Sequence, residues 1–159
     1  MERRAIVDPF MALAFKEAEK GMGLGEGGPF GAVIVKDNKV IASSHNEVLK
    51  SNDPTAHAEI VAIREASSKL QRFHLKGCTL YVTGEPCPMC FSAIHWAHLE
   101  AVYYVTTKEE ASAVGFDDTL ITEIIQGKYT ESIPFVHTPH PAGQKLLNAW
   151  KSNPQHIPY

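Results

Sequence analysis

Short segments rich in apolar, β-branched and aromatic residues follow one another along this chain with segments whose apolar residues recur at helical spacing. Five segments are of the first kind, typical of β-strands: 30–36, 40–46, 78–83, 101–107 and 133–138. Helical spacing occurs in six others: 8–20, 54–70, 88–99, 108–113, 119–127 and 143–151. We therefore predict a single α/β domain over residues 1–159, with helices on both faces of a central sheet.

Turn and cap residues mark where several of these elements begin. Asp37 and Asn38 separate the first two strands and predict a tight β-hairpin. Asp53 and Pro54 are typical of a helix cap followed by a first helical residue, so we expect that helix to begin at Pro54. Pro88 predicts another helix start. Both helices follow closely on a strand or hairpin, so their N-termini are candidates for one shared site.

The composition is that of a globular protein. Hydrophobic residues make up 44% and charged residues 21% of the chain, which argues against disorder. No apolar run approaches the ~18 residues that a membrane-spanning helix needs. The stretch MERRAIVDPF has a short basic start but no apolar run of signal-peptide length, so we expect a cytoplasmic protein without a membrane partner.

The charge balance and the cysteine count narrow the chemistry. Fifteen Lys and Arg residues face eighteen Asp and Glu residues, giving a net charge of −3, and no basic cluster is evident. A nucleic-acid partner is therefore not expected. The three cysteines, Cys78, Cys87 and Cys90, are an odd number without secretory features. That pattern favours metal or redox chemistry over a disulfide framework.

The stretch GEPCPMC places Cys87 and Cys90 three residues apart at a predicted helix start. Cysteines with this spacing share a helix face, and the positive end of the helix favours the thiolate that binds metal. A C-x-x-C pair alone is ambiguous among a zinc site, a redox pair and chance.

The stretch PTAHAEI is equally ambiguous alone, because His57 could be a packed core histidine and Glu59 a first-turn helix acid. Two residues apart on a helix, they should also diverge. First-turn side chains, however, lean past the helix N-terminus and can converge there. His57, Cys87 and Cys90 would then give zinc three ligands and an open fourth position, with Glu59 to move protons. Cys78 is expected to be a small buried apolar residue.

The combination of H-A-E with P-C-x-x-C resembles the zinc cytidine-deaminase superfamily. The resemblance implies a three-layer α/β/α cytidine-deaminase-like fold with a central mixed five-stranded sheet. It also implies hydrolytic deamination with one catalytic Zn²⁺ per subunit, which His57, Cys87 and Cys90 bind and beside which Glu59 is the proton shuttle.

Within that superfamily the chain resembles bacterial guanine deaminases along nearly its whole length, through GGPFGAVIVKD, SNDPTAHAE, EPCPMC with AIHWA, GFDD and a final tyrosine. The implied activity is conversion of the purine base guanine to xanthine and ammonia in purine salvage or catabolism, with Asp118 assisting Glu59. The implied substrate-binding residues are Phe30, Asn46, Ala58 through its backbone amide, Trp96, Asp118 and Tyr159.

The resemblance also implies a homodimer in which the C-terminal segment (about 140–159) is exchanged between subunits. Tyr159 would then complete the neighbour's pocket, although NPQHIPY is only loosely like the ending of the family.

Each of these residues also has an ordinary structural interpretation. Asn46 could be a turn residue, and Asp117 and Asp118 could cap the helix that follows them. Phe30 and Trp96 could be core aromatics, whereas in a binding site they would sandwich a planar base. A carboxylate at Asp118 would suit guanine, whose N1–H and 2-amino group are donors, and would disfavour adenine, whose N1 is an acceptor.

The sequence alone leaves other functions open. Guanosine, cytosine or adenosine in transfer RNA could be the substrate of the same chemistry. A non-catalytic, zinc-stabilised module is a further alternative, although a buried carboxylate beside a structural metal would be costly there.

Overall fold

The computed structural model describes residues 8–159, which form two compact units: one that ends at Thr119 and a second, Leu120–Tyr159. The opening residues 1–7, part of the stretch used above to expect a cytoplasmic protein, lie outside the described range. The elements in chain order are α1 (Pro9–Gly23), β1 (Gly31–Lys36), β2 (Lys39–His45), α2 (Val48–Ser51), α3 (Ala58–Leu70), β3 (Cys78–Gly84), α4 (Pro88–Trp96), β4 (Ala101–Thr106), α5 (Lys108–Ala113), α6 (Thr119–Ile125) and α7 (Pro141–Ser152). No helix in this range is long and apolar enough to cross a membrane.

The sheet of the first unit is mixed, with strand order β2-β1-β3-β4. β1 pairs antiparallel with β2 and β3, and β4 pairs parallel with β3. The predicted hairpin turn is confirmed, because Asp37 and Asn38 both have positive φ, 49° and 60°. That conformation matches the twist of two antiparallel strands joined by a two-residue loop.

The expectation of five strands is wrong, because the sheet of the described residues has four. The predicted last strand, 133–138, is exposed and has no strand structure. Pro134 lacks an N–H for a strand ladder, and Pro139 and Pro141 follow closely. Its apolar residues were therefore not sufficient to make a strand without a pairing partner.

Helices cover both faces of the sheet in the first unit, as the alternation predicted. Ala32 and Ile34 of β1 pack with residues of α3 and α4, such as Ala62 and Ile94. Their neighbours Val33 and Val35 point to the opposite face and pack with α1. This period-two division of β1 between two apolar layers makes an α/β/α arrangement.

The predicted start of α3 is wrong by four residues, and the difference matters for the site. The Asp53 carboxylate accepts hydrogen bonds from the backbone and the hydroxyl of Thr55, at 2.8 and 2.6 Å. This local turn competes with helix formation at Pro54. The helix instead begins at Ala58, and His57 is its N-cap with extended backbone angles, φ −65° and ψ 156°.

The second unit contains the long amphipathic helix α7. Leu146, Leu147 and Trp150 lie within one helical stripe, and each is about half exposed or more.

Candidate metal centre and active site

Two helix starts define the site, one at His57 before α3 and one at Cys87 before α4. An N-cap residue usually bonds through its side chain to the first turn of its helix. Neither His57 nor Cys87 makes such a bond within the described chain. Both side chains are turned instead toward each other, so the two cap positions supply potential ligands.

The three predicted ligands lie at zinc-binding distances from one another. The Nδ1 atom of His57 is 3.6 Å from the Sγ atoms of both Cys87 and Cys90, and all three ligand atoms lie within 4.8 Å of one another. Tetrahedral zinc with ordinary Zn–N and Zn–S bonds would separate nitrogen from sulfur by about 3.6 Å. The donor set therefore fits zinc, and the participation of His57 favours a metal site over a simple redox pair.

The ionisation of the cysteine pair also suits a metal. Hydrogen bonds from Cys90 and from His57 lower the pKa of the Cys87 thiol to about 4. The hydrogen bond with Cys87 and burial raise the pKa of the Cys90 thiol, and the hydrogen bond with Cys87 raises the pKa of His57. One thiolate is thus ready before metal arrives, and uptake of zinc would displace the proton that remains on Cys90.

Cys78 is not a fourth ligand. It is fully buried at the first position of β3, as expected, and it contacts Arg72 at 4.0 Å. Cys87 follows the opposite end of this seven-residue strand, and the two ends of such a strand are about 20 Å apart. The three-ligand arrangement therefore keeps a fourth position, as in catalytic zinc sites.

Glu59 lies beside these ligands, as the second residue of α3, and is only 6% exposed. Burial raises the pKa of its carboxyl, with a smaller contribution from the Cys87 thiolate. The raised pKa favours a carboxyl group that accepts and holds a proton. The two-residue spacing is explained by the cap: His57 is not helical, so the divergence expected on one helix face does not apply.

Asn46 follows β2 and is 6% exposed. Its backbone N–H donates to the Phe30 carbonyl at 3.0 Å, and its Oδ1 accepts from the backbone N–H of Val48 at 3.1 Å. The side chain is thus fixed through its oxygen, which leaves the two donors of its Nδ2 for other acceptors. Ala58, fully buried, is the first residue of α3, where a backbone N–H has no intrahelical acceptor.

The two aspartates of GFDD have different surroundings. Asp117 accepts a hydrogen bond from the backbone N–H of Thr119, the first residue of α6, at 2.9 Å. Asp118 is half-buried, and its pKa is raised by burial and by the nearby Cys87 thiolate. Asp117 therefore makes a contact of the kind that caps a helix, and Asp118 lies within electrostatic range of the metal ligands.

Phe116, in the same stretch, was not predicted. Its ring meets that of Phe30 edge to face, with centroids 4.9 Å apart and planes at 86°. Gly28 and Gly84 also approach the Phe30 ring closely. The only sequence signal was the position of Phe116 beside the aspartates.

Two further predicted substrate-binding residues, Trp96 and Tyr159, have largely exposed side chains. Trp96 is the last residue of α4 and is 66% exposed. At the usual helical rise its backbone is about 13 Å along the axis from Cys87. Tyr159 is 76% exposed and belongs to the second unit.

Comparison with known proteins agrees with this chemistry. Residues 6–106 match the cytidine and deoxycytidylate deaminase zinc-binding region. The chain is 44% identical to the guanine deaminase of Bacillus subtilis (strain 168), over 91% of this chain and 94% of that protein. An X-ray structure of guanine deaminase from Bacillus subtilis has a TM-score of 0.90 at 42% identity, covering 94% of this chain and 96% of the other. A tRNA-specific adenosine deaminase of Aquifex aeolicus (strain VF5) is 45% identical, but over 60% of this chain and 62% of that protein.

Proposed function

Because this chain belongs to the cytidine and deoxycytidylate deaminase family, whose zinc-binding region it contains, we propose that it hydrolyses guanine to xanthine and ammonia. The observation that carries the choice of guanine is the extent of similarity. Identity to the tRNA deaminase and to the guanine deaminase is nearly equal, 45% and 44%, but the former covers 60% of the chain and the latter 91%. The net charge of −3 also does not favour a transfer-RNA substrate, because proteins that bind nucleic acid usually carry a basic face.

In this proposal His57, Cys87 and Cys90 hold the zinc ion. When bound, zinc supplies Lewis acidity, which makes water a competent nucleophile near neutral pH. The reaction replaces the C2–N bond to the 2-amino group by a C2–O bond from water, and the amino group leaves as ammonia.

Glu59 carries the protons of this reaction. Its carboxylate takes one proton from the attacking water and gives it to N3 of the base. A second proton, from the oxygen now bonded to C2, then passes through Glu59, assisted by Asp118, to the departing amino group, so that C2 becomes a carbonyl and ammonia leaves. The burial that raises the pKa of Glu59 supports this role, because a buried carboxyl holds a proton long enough to transfer it.

Recognition of the base rests on complementary donors and acceptors. The Asp118 carboxylate would accept from the N1–H and 2-amino donors of guanine, and the Asn46 Nδ2 group would donate to a purine acceptor. Phe30 would pack on the plane of the base, with the Ala58 amide, Trp96 and Tyr159 as further contacts.

The proposal includes a homodimer that exchanges the C-terminal segment, about 140–159, so that Tyr159 completes the neighbour's pocket. The exposed apolar stripe of α7 supports it, because amphipathic helices normally bury that side against a partner. A role in purine metabolism and a cytoplasmic location stay predictions.

The test is ammonia release from guanine, guanosine, adenine, cytosine and transfer RNA, each with and without a zinc chelator. We expect guanine to react fastest, and we expect chelator to remove the activity. If guanine is inert and another substrate reacts, the choice of base is wrong while the zinc chemistry stands.

A further inference from the structure

His45, the last residue of β2, is buried between two carboxylates from different parts of the chain. Its Nδ1 lies 2.8 Å from Oε2 of Glu17 in α1. Its Nε2 lies 2.5 Å from Oε2 of Glu26, in the loop between α1 and β1. The His45 side chain is 7% exposed and those of Glu17 and Glu26 are 16% and 19% exposed, so the triad is largely shielded from solvent.

The two contacts favour one protonation state of the ring. Ionised carboxylates only accept hydrogen bonds, so with both glutamates ionised both ring nitrogens donate and His45 is an imidazolium. The hydrogen bond from His45 lowers the pKa of Glu26, which favours the ionised form of that carboxylate. Burial alone would lower its pKa, but the hydrogen bonds to Glu17 and Glu26 more than offset burial and raise it.

The surroundings leave little room for another arrangement. A side chain at Gly21 of α1 would collide with the His45 ring, so glycine permits this close packing. The charged groups that face the triad from neighbouring elements are Glu47, within 4.8 Å of the Glu26 and His45 ligand atoms, and Lys50 of α2, 3.4 Å from Glu26. On the α3 side, Glu65 binds Ser44 at 2.7 Å. Loss of the His45 proton would therefore leave the carboxylates of Glu17 and Glu26 without the positive charge between them, and Lys50 would be the nearby cation.

The triad is linked to Asn46 by short connections. Asn46 is the next residue, and a side chain at Gly27 would collide with its amide oxygen and backbone. The backbone carbonyl of Glu26 accepts from the N–H groups of Leu49 and Lys50, both at 3.0 Å. The Asn46 oxygen accepts from Val48, which begins the same short helix α2. Glu26 therefore contacts the chain on both sides of Asn46: its side chain binds His45, and its backbone carbonyl binds α2.

We propose that His45, held as an imidazolium between Glu17 and Glu26, is a positioning residue that orients Asn46 toward the purine. The inference rests on the proposed function, in which Asn46 contacts the base. When His45 loses its proton, one ring nitrogen presents a lone pair to a carboxylate, one tie breaks, and the loop around Glu26 loosens. Binding of the base then weakens as pH rises, while the metal ligands and Glu59 are untouched.

The test compares KM and kcat as functions of pH in the wild type and in Glu26→Gln. An amide can donate to a neutral imidazole as well as accept from an imidazolium, so Glu26→Gln tolerates both states of His45. For the wild type we expect KM to rise about tenfold on the alkaline side, the effect of losing one charged hydrogen bond, with kcat changing by less than about twofold. In Glu26→Gln this rise is absent; Glu17→Gln, expected to behave alike, is the second variant.

Glu19→Gln is the matched control, since Glu19 is an exposed glutamate on α1, the helix that carries Glu17. We expect this variant to retain the wild-type dependence of KM on pH. Guanine's own ionisation is common to all variants and cancels in the comparison. An identical alkaline rise in wild type and Glu26→Gln would overturn the inference while leaving the proposed function intact.

If the wild type does not deaminate guanine at all, NMR can test the link between His45 and Asn46 without catalysis. The Asn46 side-chain amide signals shift in step with the titration of the His45 ring in the wild type, and this coupled shift is absent in Glu26→Gln. Asn46 signals that ignore the His45 titration would overturn the inference.

Discussion

At the scale of single residues, the two N-cap positions explain why the site can bind metal. His57 and Cys87 stand where Ser, Thr, Asp or Asn would usually bond to the helix backbone. Forgoing such a cap costs about 1 kcal/mol per helix. Coordination of zinc would more than offset that cost. The residue types were predictable from H-A-E and P-C-x-x-C, but their cap conformation was not.

Asp118 and Asp117 provide a test at this scale, because they are adjacent carboxylates with different contacts. We expect Asp118→Asn to lower kcat/KM for guanine about a hundredfold, since it removes an acceptor for the base and a charge that assists proton transfer. Asp117→Asn keeps a good capping side chain for α6 and should stay within about threefold of wild type. Steady-state ammonia release measures both. Equal losses in the two variants would mean that Asp118 acts only through local structure.

At the scale of elements, the start of α3 decides the geometry of the site. Apolar periodicity predicted this helix, and Pro54 placed its start, because proline is a good first helical residue. It could not show that the Asp53 side chain would bond to Thr55 and hold residues 54–57 in a turn. With the later start, His57 lies outside the helix and Glu59 lies in its first turn.

Packing of α1 on the sheet provides an element-scale prediction through two glycines. A Cβ at Gly31 of β1 would collide with the backbone of α1 at Ala14 and Ala18, which cannot move aside as a side chain can. We expect Gly31→Ala to lower the free energy of unfolding by about 2–3 kcal/mol. Gly23→Ala is the control, because nothing lies within 4 Å of a Cβ at that last residue of α1; it should leave stability unchanged or raise it by up to about 1 kcal/mol. Urea unfolding of the zinc-loaded proteins measures both, and a Gly31→Ala protein as stable as wild type would contradict this account of the packing.

At the scale of the whole molecule, the sequence pattern predicted the features that depend on neighbouring residues, and it missed those that depend on contacts between distant segments. The strands β1 to β4 follow from short runs of apolar, β-branched and aromatic residues, and the division of β1 between two apolar layers follows from the two-residue period of a strand. Whether 133–138 pairs as a strand depends on partners that the pattern does not contain. The His45 triad likewise joins Glu17 and Glu26, 28 and 19 residues away in sequence, and no spacing rule would have found it.

Exchange of the C-terminal segment can be tested by complementation. Glu59→Gln subunits have a defective site but an intact Tyr159, and Tyr159→Ala subunits have the reverse. If Tyr159 acts in the neighbour's pocket, a mixed dimer contains one complete site. Half of randomly mixed dimers are mixed, so activity should recover to about a quarter of wild type. Recovery no greater than the average of the two variants, measured after co-expression, would place Tyr159 in its own subunit's site or outside both.

The central claim is that Glu59 moves protons beside a zinc ion held by His57, Cys87 and Cys90. Its most direct test measures zinc content and guanine turnover together in Glu59→Gln, with Glu19→Gln as the exposed control. We predict about one zinc per chain in both variants. Turnover should fall about a thousandfold in Glu59→Gln and stay normal in Glu19→Gln. A zinc-loaded Glu59→Gln enzyme with near-normal turnover would contradict the account.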